Sequence, residues 1–163
     1  MIDLDITDIR LLELLQTDAS LSNHELAARA FTSPATALRR VRRLVESGVI
    51  ERRVALLSPQ VLGEGLTALV EITLDRQGAE YLEAFEQRAV ADAAVQQCYR
   101  VSPGPDFALV VQAPSMAAYH ALVQRLFTQD ANVRNVKAFF SVKRAKFDPR
   151  LTLVHPNEGS PAL

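Results

Sequence analysis

"TSPATALRRVRRLVESG", residues 32–48, places arginine at four of the five positions from Arg39 to Arg43. The stretch carries the punctuation of a helix. Ser33 is a natural N-cap, Pro34 suits the first helical position because its missing N–H would have no partner there, and Gly48 fits just past the end. Leu38, Val41, Leu44 and Val45 follow a helical apolar period. Thr36, Arg39, Arg40 and Arg43 are expected on the opposite, exposed side. The chain as a whole is nearly neutral, with a net charge of −1. Residues 1–60 carry eight arginines against eight acids. Any attraction for a polyanion must therefore be local, and this helix is where it concentrates.

Two shorter helices precede it. In "LDITDIRLLELLQTD" Ile9, Leu12 and Leu15, flanked by Leu11, share a face, with Asp5 as N-cap and Asp8 in the first turn. In "LSNHELAARA" Ser22 and Glu25 form a capping-box pair ahead of Leu26, Ala27 and Ala30. A short helix, a turn and a helix with a basic outer side describe a helix-turn-helix whose last helix enters the major groove of DNA. Arginine suits that role because its planar fork bonds bidentately to guanine O6 and N7, or to a phosphate. Ser33, Ala35 and Thr36 at the helix start, with Arg39, Arg40 and Arg43 beyond them, are the candidate DNA-binding residues. "VIERRVALL" alternates enough to form a strand pair or wing, which adds Arg52 and Arg53.

Beyond the Pro- and Gly-punctuated "SPQVLGEG" the pattern changes. "LTALVEITL" reads as a strand with Ala68, Val70, Ile72 and Leu74 on one face, and "GAEYLEAFEQRAVAD" as a helix with Leu82, Phe85 and Ala89 inward. "AVQQCYRV" and "FALVVQ" are strands flanking the turn "SPGPD". "SMAAYHALVQRLFTQ" is a helix capped by Ser115, with Tyr119, Leu122, Val123 and Leu126 as its stripe, and "VRNVKAFFSVKRAKF" closes the series as a strand. The order β-α-β-β-α-β is the split, ferredoxin-like motif, a four-stranded sheet with both helices on one face. Phe139 and Phe140 must point to opposite faces. The uncovered face around Phe139, Phe140 and Val110 is apolar enough to expect a second subunit on it.

The rest of the composition narrows the function. Apolar residues make up 48% of the 163-residue chain, and no run of them approaches the roughly 20 residues of a membrane span. The only cysteine, Cys98, has no intrachain partner and reads as a small buried residue in a reducing compartment. The expected location is the cytoplasm. His24, His120 and His155 lie far apart without metal spacing, and the Gly-containing pieces lack the context of a phosphate loop, so no metal, cofactor or catalysis is expected.

In this order and spacing the pieces "LDITDIRLLELLQTDAS", "LSNHELA", "SPATALRRVRRLVESGVI", "SPQVLG", "CYRV", "DFALVV" and "AYHALVQRLF" resemble the leucine-responsive regulator/AsnC family of bacterial and archaeal transcription regulators, from about Leu4 to Leu153. The resemblance implies an α+β protein: an N-terminal winged helix-turn-helix joined by a linker strand to a ferredoxin-like effector domain. It implies binding to double-stranded DNA, homodimers through the sheets that assemble into tetramers or octamers, and control of amino-acid metabolism genes by an amino-acid-like effector. The boundaries expected are 1–53 for the DNA-binding domain, 54–65 for the linker, 66–153 for the effector domain and 154–163 for a flexible tail. Two other activities remain open on this fold, decarboxylation of a haem precursor and ligand sensing without DNA binding.

Three departures from the family stand out. Phe31 occupies the position of the usual glycine in the turn between the two DNA helices. The family's Gly-Asp-x-Asp-Tyr turn reads "SPGPDF", so that Pro103 and Gly104 replace the first two residues and Asp106 and Phe107 match the last two. The threonines of the last strand fall at Val136 and Ala138. The resemblance thus locates an effector site at Ser102, Pro103, Gly104, Asp106, Val136 and Ala138. With hydroxyls and one carboxylate gone, its ligand should be more apolar, or more weakly held, than an amino acid such as asparagine.

Overall fold

Local capping chemistry starts each helix of the first unit. The computed structural model describes residues 3–63 and 65–154. Helix α1 spans Ile6–Thr17; Asp5 accepts the N–H groups of Thr7 and Asp8, and Asp8 returns the favour to the Asp5 N–H. The expected cap is therefore a full capping box, with Asp standing where Glu is common. Helix α2, Asn23–Arg29, begins with the Ser22–Glu25 box. Helix α3, Pro34–Glu46, begins with Ser33 accepting from the Thr36 N–H at 3.2 Å. Just past its end Gly48, at a φ of 76°, turns the chain back so that the Ile50 N–H donates to the Leu44 carbonyl at 3.0 Å. Leu11, Leu26, Ala27, Ala30, Ala37 and Val41 are buried together between the three helices.

The buried stripe of α3 differs from the expected one. Ala37, Val41 and Leu44 are buried, while Leu38 and Val45 are 44% and 45% exposed. At about 100° of rotation per residue, Leu38 and Val45 sit on a flank of the Ala37–Val41–Leu44 line. The alanine, small enough for close helix contact, takes the central place. Residues 49–57, expected to supply a strand pair or wing, contain no strand, and Val54, Leu56 and Leu57 are exposed. Alternation makes a strand only where a partner strand is at hand. The linker carries one helical turn, α4, Pro59–Leu62.

The second unit has the expected order. Strands β1 (Leu66–Leu74), β2 (Val95–Arg100), β3 (Phe107–Ala113) and β4 (Val133–Phe140) form an antiparallel sheet in the order β2-β3-β1-β4. Helices α5 (Ala79–Ala91) and α6 (Met116–Val123) cover one face, and α6 runs on into a wider turn at Gln124–Thr128. Alternate residues Ala68, Val70, Ile72 and Leu74 of β1 and Phe107, Leu109 and Val111 of β3 pack with Phe85, Tyr119, Leu122 and Phe127. Phe85 lies 4.8 Å from Phe107, centroid to centroid. Cys98 is half-buried against this core, which pushes its thiol above its ordinary pKa.

On the uncovered face Leu69 sits opposite Val110 on one side and Phe139 on the other. Phe140, expected in the same patch, instead pairs across from Ala68 and meets Tyr119 edge-on at 5.1 Å, on the helix side. A single residue of register decides which phenylalanine faces out. The last strand also ends earlier than its sequence pattern, at Phe140.

The chain forms two compact units that divide at Leu56–Leu57 and again at Ala145–Lys146, so that residues 146–154 belong with helices α1 to α3 rather than with the sheet. A two-way amide pairing ties them there. The Leu151 N–H donates to Gln16 Oε1 at 2.6 Å, and Gln16 Nε2 donates to the Leu151 carbonyl at 3.2 Å. The expected tail at 154–163, apart from Val154, lies outside the described residues, as does His155.

Candidate functional site

The geometry of α3 divides its four arginines into two pairs. Arg40 lies beside the buried stripe and turns back toward the start of α1: its Nη1 donates to Asp5 Oδ2 at 2.6 Å and to Asp8 Oδ1 at 3.1 Å. Arg43 Nη2 donates to Asp8 Oδ2 at 2.5 Å. Asp8 is 1% exposed, the only buried polar or charged residue among those described. Two guanidinium groups and two carboxylates thus form a near-neutral cluster that ties α3 to the first turn of α1. Arg40 holds the Asp5 carboxyl below its usual range, chiefly through their hydrogen bond, and the same bond raises the Arg40 guanidinium. The Nε of Arg40 is buried and makes no hydrogen bond among the described residues.

Arg39 and Arg42 remain, both exposed, with Ala35 on the same outward side. Leu38, Val45 and Ile50 line a shallow apolar groove along one flank, rimmed by Arg42, Arg52 and Arg53. Thr36 lies on the other flank, with its hydroxyl bonded to that of Ser33 at 2.9 Å. The structure therefore brings Ser33, Ala35, Thr36 and Arg39 onto one accessible end and side of the helix. Arg40 and Arg43 do not stand free on that side, as the sequence pattern led us to expect, although Arg43 keeps half its side chain in solvent. Arg52 and Arg53 are exposed on a segment without regular secondary structure. Chemically, the outward side offers a flat, cationic surface on a helix whose orientation is fixed from behind by a buried carboxylate.

Sequence reasoning passed over Asp8 as a clamp and Arg42 as an outward cation. A signal for the first was present: Asp8 precedes Leu11 and Leu12 by three and four residues, which puts a carboxylate on the apolar face of α1. A charge in that place needs a buried partner.

At the expected effector site Ser102, Pro103 and Gly104 form an exposed turn, with Gly104 at a φ of 125° that favours glycine. Asp106 is tied into the sheet. Its N–H donates to the Ile72 carbonyl at 2.8 Å, its carbonyl accepts from the Val101 N–H, and its carboxylate accepts the Leu74 N–H at 2.7 Å. Val136 and Ala138 pair with Ile72 and Val70, and pack half-buried against the helix-side core. Ile72 is the link, since Val136 lies beside it on one strand and the Asp106 turn bonds to it from the other. No helix among the described residues is long and apolar enough to cross a membrane, and those residues hold no cluster of three metal-binding groups.

Comparison with known proteins assigns both units. Residues 4–51 match a family model described as winged helix-turn-helix DNA-binding, and residues 67–151 match one described as the Lrp/AsnC ligand binding domain. The chain is 36% identical over 150 residues to an HTH-type transcriptional regulator of Haemophilus influenzae, covering 92% of this chain and 89% of the relative. It is 34% identical over 151 residues to the leucine-responsive regulatory protein of Escherichia coli, covering 93% and 92%. Among solved structures, a transcriptional regulator from Neisseria meningitidis in complex with L-Met superposes with a TM-score of 0.82 at 29% identity, over 92% of this chain and 97% of that one.

Proposed function

The chain belongs to the Lrp/AsnC family of transcriptional regulators, and from that premise we propose that it recognises specific operators by laying the outward side of α3 in the major groove. It is a regulator with a helix-turn-helix DNA-binding domain and an Lrp/AsnC ligand-binding domain, not an enzyme. The observation that carries the proposal is the division of the arginines. Arg39 is left free to read a base edge, with Ala35 and Thr36 beside it, while Ser33, Arg52 and Arg53 meet phosphates. Arg40 and Arg43 work through Asp8: they set the roll of the helix, and the exposed half of Arg43 reaches the backbone of the DNA.

The partner on the sheet is a second copy of the chain, seated on the Leu69–Val110–Phe139 row. Homodimers, and assemblies of them into tetramers or octamers, would present paired α3 helices to half-sites about 10 base pairs, or a multiple, apart. Acting on DNA, the protein works in the cytoplasm. The effector we propose is an apolar amino acid, bound near the Ser102–Asp106 turn. The apolar side chains of Val136 and Ala138, linked to that turn through β1, support this, and the Neisseria relative was crystallised with L-Met. The regulated genes would then be those of amino-acid metabolism. Protection mapping upstream of the protein's own and neighbouring genes tests the DNA reading, and a thermal-shift screen of the twenty amino acids tests the effector. A strong shift with asparagine that survived Asp106→Ala would contradict both the chemistry and the place of the effector site.

A further inference from the structure

Phe31 is built in a way that folding alone does not explain. It follows Ala30, the C-cap of α2, and its φ is 55°. The Thr32 N–H closes the turn by donating to the Ala27 carbonyl at 2.9 Å, the return bond around a left-handed residue that is most often glycine. A β-carbon in that conformation crowds the following carbonyl, and for a bulky side chain it is a true outlier. Burial gives nothing back. The phenyl ring is 83% exposed, more than any other aromatic ring among the described residues.

The ring does have a neighbour. The guanidinium carbon of Arg10, on α1, lies 5.4 Å from its centroid. Among the described residues Arg10 joins no ion pair. A cation that joins no ion pair among the described residues therefore stands beside an exposed ring, and that ring lies two residues before the Ser33 cap of α3.

We propose that Phe31 and Arg10 form a second DNA contact at the entrance of α3: the ring packs against deoxyribose carbons of the strand bordering the groove, and Arg10 takes the adjacent phosphate. This rests on the reading of α3 as the groove helix. Three observations favour DNA as the occupant. The pair adjoins the end of α3 that leads into the groove, its charge is positive, and the chain neighbours of the ring add no apolar surface to it, Ala30 being buried and Thr32 polar. The return bond through Thr32 fixes the direction in which the Phe31 Cα–Cβ bond leaves the turn, and Arg10 over the ring gives the side chain a neighbour there before DNA arrives.

The experiment uses the full chain, with Phe31→Gly, Phe31→Leu, Arg10→Gln and Arg39→Ala beside it. The probe is a labelled duplex from upstream of its own coding sequence, with an unrelated duplex as competitor. Phe31→Gly should raise Tm by about 2–4 °C, because glycine accepts the turn without strain. The same change should weaken binding about tenfold, the scale of one lost aromatic contact, without altering the salt dependence. Phe31→Leu should fall between the two in affinity. Arg10→Gln should weaken both duplexes alike and lower the salt slope by about one. A Phe31→Gly protein that is more stable yet binds the probe as tightly as the parent overturns the proposal. So does a Phe31→Gly protein whose changed affinity follows a changed sedimentation coefficient, which would assign the ring to a second copy. The reading of α3 fails separately, through an Arg39→Ala protein that binds as the parent does.

Discussion

Asp8→Ala is the perturbation that asks most of the structure. Removing one member of a buried ion pair costs about 3–5 kcal/mol when the remaining charge stays buried. Here the remaining charges have exits. Arg43 is half exposed and Arg40 is one-quarter exposed with Asp5 still in reach, so most of that penalty is relieved by water. The mutation also takes away the acceptor for the Asp5 N–H, a capping contact worth about 0.5–1 kcal/mol at a partly exposed site. Together these give a loss of about 2 kcal/mol, or a Tm fall of about 4–8 °C for a chain of this size. Thermal melts by circular dichroism measure it, and Asp8→Asn, which keeps an acceptor, should lose less. A cycle of Asp8→Ala with Arg43→Ala should show a coupling of about 0.5–3 kcal/mol, as expected for residues in one network. The functional readout should move too. With Arg40 and Arg43 released, α3 is no longer held at one roll angle, and the ratio of operator to non-specific binding should fall even where non-specific binding holds. Asp8→Ala melting within about 0.5 kcal/mol of the parent would refute the clamp, since that is the scale of an ordinary surface substitution.

Arg39→Ala should cost about 1–3 kcal/mol of operator affinity and relax the preference at a single base pair, read by competition with single-site operator variants. If the sheet face joins two copies, Leu69→Glu should produce monomers in sedimentation velocity at micromolar concentration while folding stays within about 0.5 kcal/mol of the parent, Leu69 being exposed in one chain; an unchanged dimer would move the interface elsewhere. Acid should destabilise the fold. Asp5 and Asp92 have carboxyl pKa values depressed chiefly by hydrogen bonds from Arg40 and Arg125, so their contribution is present above the unfolded value of about 3.9 and is lost as pH falls through the folded values. Denaturant melts should be level between about pH 7 and 5 and weaken below about pH 4, more gently in Arg125→Ala, and stability that rose from pH 4 to pH 3 would contradict the assignment.

What the sequence makes legible is the chemistry that acts over a few residues. Asp5, Ser22, Ser33 and Ser115 each cap the helix that they precede, because a cap is decided within one turn. The alternation of Ala68 to Leu74 and of Phe107 to Val111 likewise marks a sheet with one covered face. Interactions across long separations are less visible. Asp8 and Arg43 are 35 residues apart, and only packing brings the carboxylate under the arginine run. Gln16 and Leu151 are 135 residues apart, so nothing local marks the last described stretch as part of the first unit. Asp106 illustrates a third difficulty. Its place in the motif was plain, but whether its carboxylate is free or already engaged depends on the Leu74 N–H, which belongs to another strand.

The central claim is that α3 reads DNA with Arg39 while Arg40 and Arg43 are held from behind by Asp8. Protection of the DNA upstream of the protein's own and neighbouring genes, by the parent and by Arg39→Ala side by side at moderate salt, tests it most directly. The account predicts protected half-sites spaced by about 10 base pairs or a multiple, and their loss in Arg39→Ala at concentrations where the parent protects fully. Protection by the parent no stronger than on unrelated DNA, or an identical footprint from Arg39→Ala, would contradict it.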